Sequence, residues 1–331
     1  MKKKTIALLG ALGAAGAWCV HRNKKYPLAK GYGAFNKVAI PGAILNEKVA
    51  KFANSIMAGK DFRAMPNGVT KERIQFDARD RQTLTLSVYW SEDIEKNSRC
   101  LIYFHGGGFF LKDEAYIHKL VCQYADKVKC TVIFVHYRTA DEYPFPVPFY
   151  DCCDAIEYVW NHTEHLGIDK HNIALGGDSA GGALAASCAH WCKAQGISIC
   201  FQMLVYPVID SRMETETSKK YKDVPLWNSS LSKRMWEIYL RNGISEKDEY
   251  ASPALATDFS HLPPAFIEVS EFDSLYDEGL AYAACLKDAG VNVETSILKG
   301  SFHGFDILSN TELTKEAVNN RCCALSGAFR E

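Results

Sequence analysis

The 331-residue chain has almost no excess of charge of either sign: 38 Lys and Arg stand against 39 Asp and Glu, a formal net charge of -1 at pH 7. That balance removes the electrostatic case for a nucleic acid or another polyanion as partner. Low-complexity tracts and internal repeats are also missing. There are twelve cysteines, yet no two Cys-x2-Cys elements of the kind that hold structural zinc. Cys152–Cys153 and Cys322–Cys323 are adjacent pairs, which rarely bridge to each other. Cys100, Cys130 and Cys200 adjoin or enter apolar strand-like runs, and Cys188 and Cys192 sit in a helical pattern. These thiols read as small buried hydrophobes in a chain that stays reduced, with no disulfide framework.

An uncharged run of full membrane-spanning length is absent too. Thr5 to Val20 gives 16 residues, just short of the roughly 17–25 that a spanning helix needs. Lys2–Lys4 precede the run, and His21, Arg22, Lys24 and Lys25 follow it. Basic residues on both sides leave its orientation unset by the positive-inside rule. Ala15-Gly16-Ala17 resembles a signal-peptidase site, so residues 1–25 have three readings: an uncleaved anchor, a cleaved signal peptide, or an amphipathic surface helix. Reduced cysteines favour membrane association through residues 5–20 with the rest of the chain cytoplasmic. Export after cleavage is the alternative. The sequence does not speak to oligomeric state.

What is present is an ordinary globular composition, 47% hydrophobic and 23% charged, enough for one large α/β domain or two modest ones. Residues 26–70 read as helical segments, for example "LNEKVAKFANSIMAG". From Glu72 the period changes: "RIQFDARD" and "TLTLSVYW" alternate like an antiparallel pair of half-buried strands. Six runs follow that are mostly continuous and apolar: "CLIYFHG", "TVIFVHY", "NIALGG", "FQMLVYP", "AFIEVS" and "VETSIL". Such runs belong to strands buried on both faces, and the helical stretches between them imply a mostly parallel sheet covered on both sides. Residues 211–250 break the rhythm with a polar, helix-prone insertion placed to lie over the sheet as a cap. Residues 71–331 then form the main domain.

Within that pattern "IALGGDSAGGALAA" is strand, tight turn, helix, and Gly177-Asp178-Ser179-Ala180-Gly181 fits the Gly-x-Ser-x-Gly nucleophile elbow. Small flanking residues let a serine stand in a strained backbone conformation between strand and helix. The bland alternative is a glycine-rich packing turn. A serine needs a base, and "LKGSFHGF" places His303 in a glycine-flanked loop after the last strand. His162, His165 and His171 fall in a polar, solvated stretch. His118 lies in a helical stretch, and His190 follows the elbow helix. The orienting acid should follow the preceding strand, where "FIEVSEFDSLYDEG" offers Asp273 at the strand's end, with Glu271 as the main rival. "YFHGGGFF" ends another strand with three glycines. The N–H groups of Gly107 and Gly108, with that of Ala180, are suited to hold an oxyanion. His105 reads as a structural histidine of that loop.

Taken together, "HGGGF", "GDSAGG", "YRTADEYPFPVPFYD", "LVYP", "LPPAFIEVSEFDSLYDEGLAYAACLKDAGV" and "FHGF" resemble the hormone-sensitive lipase-like family of α/β-hydrolases, which includes bacterial carboxylesterases and arylacetamide deacetylase-like enzymes. The resemblance runs from about Glu72 to the final helix. It implies the α/β-hydrolase fold, a mostly parallel eight-stranded sheet with helices on both faces and a helical cap formed by the region before Glu72 and the 211–250 insertion. It puts Ser179, Asp273 and His303 at the triad positions. The chain departs from the family in reading Asp273-Ser274-Leu275 where Asp-Pro-Leu is frequent, and His136-Tyr137-Arg138-Thr139-Ala140-Asp141-Glu142 where Asp-Tyr-Arg-Leu-Ala-Pro-Glu is frequent. The function implied is a serine carboxylic-ester hydrolase acting on small or short-to-medium acyl esters, with a small-molecule ester as partner and no metal or organic cofactor. Amide cleavage by the same triad, and ligand binding without turnover on a hydrolase scaffold, are the alternatives.

Overall fold

The computed structural model describes residues 20–21, 25–57, 66, 68–94, 97–244 and 248–329. The Thr5–Val20 run lies outside them except for its last residue, and the anchor expectation with it. No helix among the described residues is long and apolar enough to cross a membrane.

Eight strands form one sheet: β1 (Val69–Asp77), β2 (Thr83–Ser91), β3 (Ser98–Phe104), β4 (Thr131–His136), β5 (Ile168–Asp178), β6 (Phe201–Val205), β7 (Ala265–Phe272) and β8 (Val293–Phe302). Their order across the sheet is β8-β7-β6-β5-β3-β4-β2-β1. β2 runs antiparallel to both of its neighbours, and every other pairing is parallel. The period-two segments thus lie at one edge, and β4 and β6, continuous in apolar residues, are interior and almost wholly buried. Alternate residues of β3 face opposite ways: Cys100, Ile102 and Phe104 join one core, Leu101 and Tyr103 the other.

The helices are α1 (Glu47–Met57), α2 (Ala115–Val128), α3 (Val147–Asn161), α4 (Thr163–Leu166), α5 (Ala180–Gln195), α6 (Glu216–Lys220), α7 (Ser229–Tyr239), α8 (Tyr276–Asp288) and α9 (Glu312–Ala328). α3, α5 and α8 cover the first core, while α2 and α9 cover the second. The chain reverses its direction of winding between β5 and β3, and the crevice at such a point, beyond the carboxyl ends of the strands, is where ligands bind in open α/β sheets.

Residues 26–70 differ from the expected series of helices. Among the described residues of this stretch only α1 is an α-helix, opened by the Asn46 side chain, which accepts from Val49 N at 3.1 Å. Before it the chain makes two short 3-10 turns, and Val38–Ala39 pairs with Val20–His21. Pro27, Gly31, Pro41 and Gly42 interrupt the helical period there. Between β6 and β7 the described residues include α6 and α7, capped by the side chains of Thr215 and Asn228. Asn228 also donates to Ile40 O at 2.8 Å. Gly42 packs so closely on the Ser230 backbone that a Cβ there would collide with it. The N-terminal segment and the insertion therefore meet above the sheet.

Candidate active site

Ser179 follows β5 directly and stands at φ 55°, ψ −118°, outside the comfortable regions for an L-residue. The turn is held open by small residues. A Cβ on Gly177 would overlap the carbonyl oxygens of Gly181 and Phe104, and one on Gly181 would overlap Phe104 O. Ser179 N donates to Val205 O at 2.9 Å, and Ser179 O accepts from Ala183 N and Val208 N. The side chain is thereby thrust from the sheet towards the open crevice at the first turn of α5.

The structure brings the three sequence candidates together in one buried relay. His303 Nε2 lies 2.8 Å from Ser179 Oγ, and His303 Nδ1 lies 2.7 Å from Asp273 Oδ2. With Nδ1 protonated towards the carboxylate, Nε2 is free to accept the serine proton. Asp273 is wholly buried, and its other oxygen accepts from Leu275 N at 3.0 Å. Glu271, the rival acid, turns away: its carboxylate accepts from Gly300 N at 2.6 Å and sits 3.8 Å from Lys299. His303 is flanked by Tyr206, edge-on at 4.8 Å, and by Trp227 at 6.1 Å between ring centres.

The glycine loop faces this relay. Gly107 and Gly108 take φ of 112° and 61°, and Phe109 continues the left-handed run at 64°. Only glycine adopts the first two at no steric cost, so their peptide planes can turn N–H groups into the crevice. Ala180 opens α5, where a first-turn N–H has no acceptor inside the helix. His105 acts as the loop's packing post. Its ring stacks on Tyr137 at 4.3 Å and Phe134 at 5.6 Å, its Nδ1 meets Gly106 O at 2.6 Å, and burial pulls its pKa down to about 4.

Several residues that shape the site were not singled out from the sequence. Asp178, between the glycines of the elbow, accepts from Tyr103 OH at 2.8 Å and from Gly106 N at 3.1 Å. Burial, and then the charge of Asp306, push its pKa up to about 6. Behind His303, Tyr206 OH donates to Asp306 at 2.7 Å, and Asp306 accepts from the wholly buried Arg321 at 2.9 Å. Arg321 reaches Glu268 through two further bonds of 2.5 and 3.0 Å. A buried charge network of this kind is costly to break by removing one partner. His118, in a helix as its sequence context suggests, and His136 at the end of β4 both contact Asp113. His190 lies inside α5 rather than after it, and meets Tyr282 OH at 3.2 Å.

A cleft of about 110 Å³ opens over Ser179 and His303, walled by apolar Ile40, Leu111, Ile117, Leu226, Trp227 and Ile307. The cap aromatics divide in role. Trp227 walls the cleft, whereas Trp236 and Tyr239 are buried in the first core, where Tyr239 stacks on Phe109 at 3.8 Å.

The profile of the α/β hydrolase fold family matches residues 101–307, and the chain belongs to that family. It is 31% identical to the carboxylesterase NlhH of Mycobacterium tuberculosis over 67% of this chain and 71% of the relative. It is 30% identical to an ethyl acetate hydrolase of Pseudomonas putida over 70% of this chain and 74% of that protein. Among solved structures, a bacterial heroin esterase superposes with a TM-score of 0.77 at 31% identity, covering 84% of this chain and 88% of that one.

Proposed function

We propose that this member of the α/β-hydrolase family is a serine carboxylic-ester hydrolase that works through an acyl-enzyme on Ser179. The observation that carries the reading is the relay Ser179–His303–Asp273, with 2.8 and 2.7 Å links, at the floor of an apolar cleft beside the glycine loop. The esterase names of its relatives point the same way.

Ser179 Oγ attacks the ester carbonyl as its proton passes to His303 Nε2, and the carbonyl electron pair moves onto oxygen. The amides of Gly107, Gly108 and Ala180 hold that oxyanion, each such donor contributing roughly 3 kcal/mol to transition-state stabilisation. Asp273 orients the imidazole and stabilises its charged form without taking the proton. As the carbonyl re-forms, the ester C–O bond breaks and the alcohol leaves with the proton from His303. Water then repeats the sequence on the acyl-enzyme, releasing the acid and restoring Ser179. No step calls on a metal or organic cofactor. The small apolar cleft favours short-to-medium acyl groups, and the N-terminal segment with the 211–250 insertion serves as the cap that shields it from water.

The test is hydrolysis of p-nitrophenyl esters of graded acyl length by wild type and by Ser179→Ala. The wild type should turn over short and medium esters, and the variant should lose nearly all of that rate. A variant as active as wild type would remove Ser179 from the chemistry.

A further inference from the structure

The glycine loop carries an unusual conformational load. Gly107, Gly108 and Phe109 stand consecutively at positive φ. For Phe109, which has a Cβ, this is strained backbone of the kind that costs about 1–3 kcal/mol and persists only where the surroundings over-determine it. The loop's upstream end is fixed from within the elbow itself. Asp178 accepts from Gly106 N, and Tyr137 OH donates to His105 O at 2.8 Å. Its middle is closed on itself by Phe110 N and Leu111 N, which donate to Gly107 O at 3.2 and 2.9 Å, and is tied to the rest of the fold by Ala140 N, which donates to Phe109 O at 2.7 Å.

The downstream end is held from an unexpected place. Asn54, on α1 of the N-terminal segment, is only 4% exposed. Its amide oxygen accepts from Lys112 N at 2.9 Å, and its amide nitrogen donates to Phe110 O at 2.8 Å and to Asp141 Oδ2 at 2.7 Å. Both donors of one carboxamide are used, and the oxygen takes the backbone N–H two residues along. Asp141 is in turn fixed by Thr139 Oγ1 at 2.7 Å. The carboxamide thus reads Phe110 and Lys112 together, as a peptide group of a neighbouring strand would.

We infer that Asn54 is a positioning residue for the oxyanion hole: the N-terminal segment fixes the strained Gly107–Phe109 backbone through one buried carboxamide braced by Asp141. The inference rests on the esterase reading above and adds a residue that touches neither substrate nor the relay. Without Asn54, Phe110 O and Lys112 N lose a buried partner, and the left-handed run is free to relax. The Gly107 and Gly108 amides would then leave the place where the oxyanion forms. Small displacements matter, because donors act only within hydrogen-bond distance of that oxygen.

The experiment compares full-length wild type, Asn54→Ala, Asn54→Asp and Asn54→Asp/Asp141→Asn. Each is assayed for p-nitrophenyl acetate hydrolysis and for inhibition by an aryl-alkyl trifluoromethyl ketone, which adds to the serine oxygen to form a tetrahedral hemiketal. Asn54→Ala should lower kcat/KM about 10- to 100-fold through kcat, with KM changed less than about twofold, and should weaken ketone inhibition by the same factor. Asn54→Asp has the same shape and sets two carboxylates face to face. It should show the same loss, and adding Asp141→Asn should recover part of it by restoring an amide–carboxylate pair. A merely structural role would lower the melting temperature and leave kcat and ketone affinity intact in the folded fraction. Wild-type kcat/KM in folded Asn54→Ala overturns the inference, as does a loss of kcat with unchanged ketone affinity. Should Asn54→Ala not fold, the isosteric Asn54→Asp decides by the same two readouts. A wild type inactive on esters would instead sink the esterase reading, which is a separate result.

Discussion

Among the described residues two Ser–His–Asp hydrogen-bonded arrays occur, and they differ in how the serine is presented. In the first, Ser179, His303 and Asp273 are linked at 2.8 and 2.7 Å. In the second, Ser87 Oγ meets His136 Nε2 at 2.8 Å, and His136 Nδ1 lies 3.4 Å from Asp113. Residue types and connectivity are the same; presentation differs. Ser87 sits in the middle of β2, wholly buried, with ordinary strand backbone around it. Ser179 stands at positive φ on a turn, at a helix start, opposite a glycine loop and under a cleft. The acids differ too. Asp273 serves one histidine, whereas Asp113 is shared with His118, whose Nε2 lies 2.5 Å away and whose Nδ1 meets Tyr89 OH at 2.7 Å. A relay is therefore not a nucleophile until the backbone lifts its serine to a carbonyl and places donors opposite.

The second array still has a use. Asp113 is the residue immediately after Lys112, so the pair of histidines anchors the chain where the glycine loop ends, as Asp178 anchors it where the loop begins. The largest expected contrast lies between the acids. Asp273→Asn should lower ester hydrolysis by roughly 10⁴-fold, because the imidazole loses the partner that sets its tautomer. Asp113→Asn should cost less than about tenfold, since it disturbs only the loop's anchorage. Parallel steady-state kinetics on the two variants check this, and comparable losses would dissolve the distinction.

A smaller effect separates the two loop anchors by pH. Burial raises Asp178 from 3.8 to about 6 in the folded protein, so the native state holds its proton more tightly than the unfolded chain. Its stabilising contribution is complete below pH 3.8 and is lost as pH rises to about 6. Asp178→Asn keeps an acceptor oxygen for Tyr103 and Gly106 and never ionises. Relative to wild type the variant should gain stability over that window, by at most about 3 kcal/mol, and hold the gain unchanged at higher pH. Denaturant unfolding of both proteins across the window measures it. A difference that stays constant with pH would mean that the carboxyl ionises in the fold at no cost.

The same comparison shows how much the sequence discloses. Ser179, Asp273 and His303 are legible as candidates because each lies at the end of an apolar strand run, in the order that the resemblance implies. The eight-stranded sheet is legible for the same reason, from the continuous runs "TVIFVHY" and "FQMLVYP" and the alternating "TLTLSVYW". Asp178 was in plain view inside the elbow motif, but its bond to Gly106 N crosses 72 residues. Asn54 and the Ser87–His136–Asp113 array carry no local signal at all. A polar residue on a helix or a serine in a strand looks solvated until tertiary contacts bury it. Residues 26–46 misled for a different reason: the polar-apolar spacing of "LNEKVAKFANSIMAG" is real and gives α1, while the prolines and glycines upstream outweigh the weaker pattern there.

The account's central claim is that presentation, not connectivity, makes the nucleophile, and covalent labelling tests it most directly. The native protein is treated with an alkyl fluorophosphonate, digested, and mapped by mass spectrometry. The serine oxygen displaces fluoride, so each reaction leaves one phosphonyl group on the attacking residue. One adduct on the Ser179 peptide, absent in His303→Ala and accompanied by loss of ester hydrolysis, is the predicted result. An adduct on Ser87, or full loss of activity with Ser179 unmodified, would contradict it.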